Sequence, residues 1–261
     1  MKIFLLLWLA NSTCSFICEA QDYSAYQKSM LIEGSDTLRY RVLYPVNYQK
    51  EYKYPVIIFL HGSGERGRNN ESQLVHGADL FLKPEVRGKY PAIVIFPQCP
   101  GDTVWSYFQQ TENPDLKQVL AFPFQSNPTF PERMVKDLTD DLIKKGEADP
   151  NRIYLGGLSL GGFGTYDLLI RYPRYYAAAF SICGACNVSL FARKAKKIPL
   201  WIFHGAKDDV VDPAFDRQLF QKLKEANAPV KFTEFPNANH NSWDPAFAEP
   251  ELLPWLFSQH R

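Results

Sequence analysis

The stretch IYLGGLSLGGFG, residues 153–164, decides how this chain is read. It opens on apolar residues of strand type. It passes through G-x-S-x-G at Gly157, Ser159 and Gly161, then runs into 163–171, a segment able to form a helix. A serine set between glycines at a strand-to-helix junction suits a turn so sharp that the hydroxyl is lifted above the edge of a sheet. Glycines two residues to either side remove the Cβ atoms that would collide where helix passes strand. The pentapeptide alone is a common chance pattern, because a glycine turn needs no chemistry. Its partners have to come from the rest of the chain.

Working outward, short apolar runs at 38–43, 56–60, 93–96, 178–182, 200–203 and 231–235 join 153–155 as candidate strands. They lack strict alternation, as expected for strands covered on both faces. Helix candidates lie between and after them at 132–145, 163–171, 214–226 and 251–259. The first carries Met134, Val135, Leu138, Leu142 and Ile143 at the spacing of one helical face. Strand–helix alternation predicts an α/β fold, a mostly parallel central sheet with helices on both faces. No linker interrupts 21–261, so one domain is expected. Asp212-Pro213 and Asp244-Pro245 each read as an N-cap followed by proline at the first helical position, and Asp149-Pro150-Asn151 as a turn.

A nucleophilic serine in such a turn is followed by an acid and then a histidine. His61 and His76 precede it, His204 closes an apolar strand ahead of any good acid, and His260 is the penultimate residue, in a fraying end. His240 in NANHNSW is left. The acid falls in FHGAKDDVVDP, where Asp208, Asp209 and Asp212 compete and Asp212 reads as the helix cap. An earlier loop, HGSGERG, matches G-x-G-x-x-G at Gly62, Gly64 and Gly67. A dinucleotide site would need a helix starting there and an acid at the end of the next strand. The loop instead runs into RGRNNES, and the next strand ends in IFPQCP. The loop therefore reads as a source of backbone N–H groups for an oxyanion, and no cofactor or metal is expected.

Composition narrows the partners. A formal net charge of +1 with no basic stripe gives no support for nucleic acid. At the N-terminus Lys2 precedes the apolar run 3–10, then small and polar residues up to Ala20. This is the layout of a signal peptide over 1–20 that leaves Gln21 first, with export to the periplasm or medium. The run is too short to span a bilayer, so no stable membrane insertion is expected; lipid attachment through Cys14 or Cys18 is the less favoured reading. Cleavage would leave Cys99, Cys183 and Cys186, an odd number. The C-x-x-C at Cys183 and Cys186 lacks the second pair that a zinc site requires.

Five stretches together, LHGSGERG, PQCP with Trp105 following, GLSLGGFGTYDL, HGAKDDVV and NHNSWDPAF, resemble the phospholipase/carboxylesterase-like branch of the α/β-hydrolases. Within it they are most similar to the secreted bacterial group labelled esterases or peptidases and to feruloyl-esterase-like carbohydrate esterases. The resemblance runs in order from about residue 38 to the C-terminus. It implies Ser159 as nucleophile, Asp208 as acid, His240 as base, and the backbone N–H groups of Ser63 and Leu160 as the oxyanion hole. Asn239 stands where relatives commonly have glycine, a position asparagine can fill by tolerating left-handed backbone.

The implied activity is carboxylic-ester hydrolysis through an acyl-serine, with feruloyl or acetyl esters of plant polysaccharide as the expected substrates. The alternatives are a serine peptidase of the prolyl-oligopeptidase type or a lysophospholipase, and thirdly an inactive binding module. The aromatic segment 105–130, with Trp105, and Trp243 beside His240 are the candidates for substrate contact, against the plainer reading of packing. Glu65 and Arg66 are expected to pair and hold their loop. Mass spectrometry of the exported protein checks the leader: the expected N-terminus is Gln21, and an intact Met1 would end the export reading.

Overall fold

Every apolar run expected to be a strand is one, and the sheet they build covers both of its faces. The computed structural model describes residues 21–112 and 118–261. The expected leader at 1–20 and Pro114 of the aromatic segment therefore lie outside the described residues. In chain order the strands are β1 (Gln27–Glu33), β2 (Asp36–Leu43), β3 (Tyr54–Leu60), β4 (Ile93–Gln98), β5 (Gln109–Glu112), β6 (Gln118–Ala121), β7 (Ala148–Leu158), β8 (Ala178–Ile182), β9 (Leu200–Gly205) and β10 (Val230–Phe235). The helices are α1 (Ala78–Leu82), α2 (Pro84–Lys89), α3 (Phe130–Lys144), α4 (Leu160–Arg171), α5 (Val188–Lys194), α6 (Ala214–Glu225), α7 (Trp243–Phe247) and α8 (Leu252–Phe257).

Eight strands form one sheet in the order β1-β2-β4-β3-β7-β8-β9-β10. β1, β2 and β4 are joined antiparallel, and every later pairing is parallel. β5 and β6 make a separate antiparallel hairpin. Period-two geometry divides the core. Val56, Ile58, Leu60, Ile93 and Ile95 pack on the face covered by α3, α4 and α6. Ile57, Phe59, Val94 and Phe96 face α1 and α8. This two-sided burial is why the strands read as continuous apolar runs.

The departures from the sequence reading have local causes. β1 escaped notice because it is an edge strand whose Met30 and Ile32 point outward, 55% and 61% exposed. It pairs with β2 through a two-residue turn in which Gly34 has φ 60°, a conformation open to glycine. α3 starts two residues early, because Thr129 accepts from the Glu132 N–H as its N-cap. Asp212 lies one residue ahead of its expected place, because α6 begins at Ala214 with Pro213 as the N-cap residue, though its carboxylate still accepts from the Ala214 N–H at 2.8 Å. Asp244 does not cap, because α7 already begins at Trp243. Asp149 accepts from the Asn151 N–H in the expected turn, which the strand β7 absorbs. Cys99, Cys183 and Cys186 are free and buried. No helix among the described residues is long and apolar enough to cross a membrane.

Phe59 is the hub of the α8 side, with ring centroids 5.5 Å from Phe96, 5.8 Å from Phe180 and 5.2 Å from Phe247. Phe59→Ala is expected to cost about 3–5 kcal/mol. Urea unfolding would read this as a lower midpoint at unchanged slope.

Candidate active site

All the side chains singled out for chemistry stand at the carboxyl ends of parallel strands, where an open α/β sheet leaves its crevice. Ser159 follows β7 and is the N-cap residue of α4, with φ 52° and ψ −118°. This conformation is strained for a residue with a side chain. It is imposed by crowding: a Cβ on Gly161 would lie 2.0 Å from the Leu60 carbonyl oxygen, and one on Gly157 2.3 Å from the Gly161 oxygen. Only backbone fits between β3, β7 and the first turn of α4.

Two far-off segments meet Ser159 there. His240, in the loop after β10, places Nε2 3.0 Å from Ser159 Oγ. Its Nδ1 lies 2.9 Å from Asp208 Oδ2 and 3.1 Å from Oδ1. Asp208 Oδ1 also accepts from the N–H groups of Val210 and Val211, each at 2.9 Å. Burial alone would raise the Asp208 pKa; hydrogen bonds from His204, His240 and the Val211 N–H outweigh it and hold the carboxyl well below its usual range. Asp209 is exposed and outside this arrangement.

Asn239, expected to exploit left-handed backbone, does not have positive φ. Its side-chain oxygen instead accepts from the N–H groups of Asp209 and His240, at 3.1 and 2.6 Å. The acid loop and the histidine loop are thereby clamped together. The close contact falls on Gly205, where a Cβ would lie 2.2 Å from the backbone carbonyl oxygen of Asn239.

The glycine loop after β3 lies against Ser159. A side chain on Gly62 would meet Ser159 Cβ at 3.7 Å. Ser63 opens a single 3-10 turn and Leu160 opens α4. Neither first turn has a side-chain cap, and the N–H groups of both residues lack an acceptor among the described residues. The loop is pinned from below. His61 Nε2 accepts from the Cys99 N–H at 2.9 Å, which fixes the proton on Nδ1, where it is donated to the Gly62 oxygen at 2.6 Å. Burial pushes the His61 pKa down to about 4. Glu65 and Arg66 do not pair as expected. Arg66 donates to the carbonyls of Ser63 and Thr103, whereas Glu65 turns toward His76, 3.6 Å away.

Trp105 must be corrected from a substrate contact to a buried support. It is fully buried, donates Nε1–H to the His61 carbonyl at 3.0 Å, and packs its Cβ on Gly164. Much of its aromatic segment is likewise packed. Phe108 and Phe122 sit edge-on to Phe163, and Phe122 also to Phe215. The cavity between this segment and α4 measures about 20 Å³, room for one water and no substrate. Trp243 keeps its expected place, partly exposed and edge-on to His240 at 5.5 Å.

Sequence reasoning passed over His204. It is fully buried between Asp216, 2.7 Å from Nδ1, and Asp208, 3.2 Å from Nε2. Burial opposes its protonation, but the two carboxylates push its pKa up to about 10. Its place at the end of an apolar strand, before two aspartates, was the available signal. Among the described residues, one cluster has metal-ligand spacing: Cys183, Asp208 and His240, with ligand atoms within 4.8 Å of one another. Asp208 and His240 already bond to each other, and burial raises the Cys183 thiol well above its ordinary pKa, so the set does not suit a cation.

The family model for phospholipase/carboxylesterase matches residues 45–249. The chain is 26% identical over 199 residues to carboxylesterase SOBER1 of Arabidopsis thaliana, covering 71% of this chain and 82% of the relative. A solved thermostable esterase superposes with a TM-score of 0.79 at 33% identity, covering 91% of this chain and 64% of that one. The chain thus spans under two thirds of that protein. A ferulic acid esterase from Anaeromyces mucronatus, solved with ferulic acid, superposes with a TM-score of 0.64 at 16% identity, covering 87% and 89% of the two chains.

The two buried histidines set opposite slopes of stability with pH. The His61 pKa is lowered from an ordinary 6.5 to about 4, so its contribution is present above 6.5 and lost as pH falls through 4. The His204 pKa is raised from 6.5 to about 10, so its contribution is full below 6.5 and lost as pH rises through 10. Thermal unfolding followed from pH 4 to 10 is expected to show the highest midpoint near pH 6.5, falling on both sides.

Proposed function

Since the chain belongs to the phospholipase/carboxylesterase family and is a carboxylic-ester hydrolase by that membership, we propose that it works through an acyl intermediate on Ser159, with His240 and Asp208 completing the triad. The observation that carries this reading is the unbroken chain of contacts from Ser159 Oγ to His240 Nε2 at 3.0 Å and from His240 Nδ1 to Asp208 Oδ2 at 2.9 Å. Asp208 accepts from Nδ1–H, so Nε2 is the free base that faces the hydroxyl. As Oγ attacks the ester carbonyl, its proton passes to Nε2, and Asp208 stabilises the imidazolium. The same proton then leaves with the alcohol. Water repeats the sequence on the acyl-serine.

The negative charge that develops on the carbonyl oxygen is taken up by the Ser63 and Leu160 N–H groups. Each such donor contributes about 3 kcal/mol to a transition state of this kind. The strained turn at Ser159 helps by holding Oγ in place before substrate arrives, so little reorganisation is left for the reaction itself.

The substrate proposal is an ester of extracellular plant polysaccharide, feruloyl or acetyl, met after export. It is supported by the leader-like N-terminus, by the resemblance to carbohydrate esterases, and by Trp243, which offers an aromatic face beside His240. The packed aromatic segment shifts the acyl-binding role away from Trp105 and toward the loops around Trp243.

Ser159→Ala is expected to lower turnover on the order of a million-fold and to abolish labelling by a fluorophosphonate, with folding unchanged by circular dichroism. A panel of methyl ferulate, acetylated xylan, nitrophenyl esters and a peptide amide tests the substrate. The expected order places feruloyl or acetyl esters first. Turnover confined to long acyl chains would assign a lysophospholipase, and preference for the amide a peptidase.

A further inference from the structure

Behind the acid of the triad lies a charged assembly that the reaction as described does not use. Its centre is His204, at the end of β9. Nε2 faces two acceptors, the Val211 carbonyl at 3.0 Å and Asp208 Oδ2 at 3.2 Å. Neither can give it a proton while Asp208 is ionised, so Nε2 carries hydrogen. Nδ1 faces Asp216 Oδ2 at 2.7 Å, and one proton must sit between them. Burial raises the Asp216 carboxyl above its ordinary pKa, opposed by hydrogen bonds from His204, Tyr166 and the Gly184 N–H that favour the charged form; Oδ1 accepts from the Tyr166 hydroxyl at 2.5 Å. These donors favour a carboxylate at Asp216 and leave the proton on the ring.

We propose that His204 is a buried imidazolium, kept charged by Asp216 and Tyr166, that acts as a positioning residue: it fixes the carboxylate of Asp208 and limits how strongly that carboxylate draws a proton onto His240. The inference rests on the Ser159–His240–Asp208 reading above.

Every element packed around His204 is accounted for. Asp208 comes from the loop after β9, Asp216 from α6 and Tyr166 from α4, and His240 lies beyond Asp208. Cys183 and Cys186, near the end of β8, stay neutral because burial raises both thiols. Glu234, opposite His204 on β10, turns away to Arg217 at 2.7 Å. The carboxylates are therefore the charges that act on the ring, consistent with its pKa of about 10. A positive charge in contact with Asp208 offsets part of the attraction Asp208 exerts on a protonated His240. Loss of that charge would let Asp208 draw a proton onto the neighbouring ring more strongly.

The test is the pH profile of kcat/KM on a nitrophenyl ester, for the wild type, Asp216→Asn and Tyr166→Phe. It is read beside nitrogen NMR of the histidine rings in a Ser159→Ala background. Asp216→Asn keeps the shape of the site but lets His204 become neutral. Its acid limb is expected to move to higher pH by roughly half to one unit, with plateau activity within about threefold of wild type. Tyr166→Phe moves the limb in the same direction by less, and carries the test alone should the first variant not fold. The NMR signal of His204 is expected to be that of an imidazolium from pH 6 to 9 in the parent and of a neutral ring in Asp216→Asn. A neutral His204 in the parent, or folded variants whose rates fall uniformly with the acid limb unmoved, overturns the proposal. Residual activity in Ser159→Ala would instead overturn the triad on which it rests.

Discussion

The start of α4 rests directly on the backbone of β3, with no room for a single carbon atom between Gly161 and the Leu60 carbonyl. That contact forces the turn at Ser159 into its strained conformation, and the strain is tolerable because the surrounding sheet over-determines it. It also brings the glycine loop after β3 against Ser159. One steric constraint therefore positions both the hydroxyl and the backbone donors on either side of it. A larger residue at Gly157 or Gly161 would part the two elements and disperse the site.

The remaining parts converge through parallel topology. β3, β7 and β9 end on the same side of the sheet, so the loops that follow them share one crevice. What holds these loops is mostly side chain to backbone. His61 and Trp105 tie the β3 loop to the β4 loop, and Asn239 ties the histidine loop to the acid loop. Such bonds suit loops, whose backbone groups have no sheet or helix to satisfy them.

The charges beneath the site follow from burial. Asp208, His204 and Asp216 are removed from water, where unpaired charges would be costly. Alternating sign and shared protons make the assembly tolerable, and each member reaches its neighbours by hydrogen bonds. The surface ion pairs elsewhere, such as Lys28 with Glu71, are well exposed and contribute little.

Patterning along the chain was enough to read the sheet, its two-sided cover of helices and an order of Ser159, an aspartate within 208–212 and His240, with Asp208 singled out by resemblance alone. Burial on both faces leaves continuous apolar runs, and the nucleophile turn leaves glycines at fixed spacing, so these features survive in one dimension. The edge strand β1 and the short helices α1, α2 and α5 did not show, because β1 leaves Met30 and Ile32 exposed and the helices, at five to seven residues, are too short for a helical period to repeat. The same holds for function. That Trp105 is a support, that Trp243 lies edge-on to His240, that Asn239 is a clamp and that His204 sits between two carboxylates are matters of which side chains meet across the sheet. Residue type and spacing fix what a group can do, and the packing of distant segments fixes what it faces. The chemistry of this chain was therefore written in its sequence, whereas the electrostatic surroundings of that chemistry were decided by the tertiary fold alone.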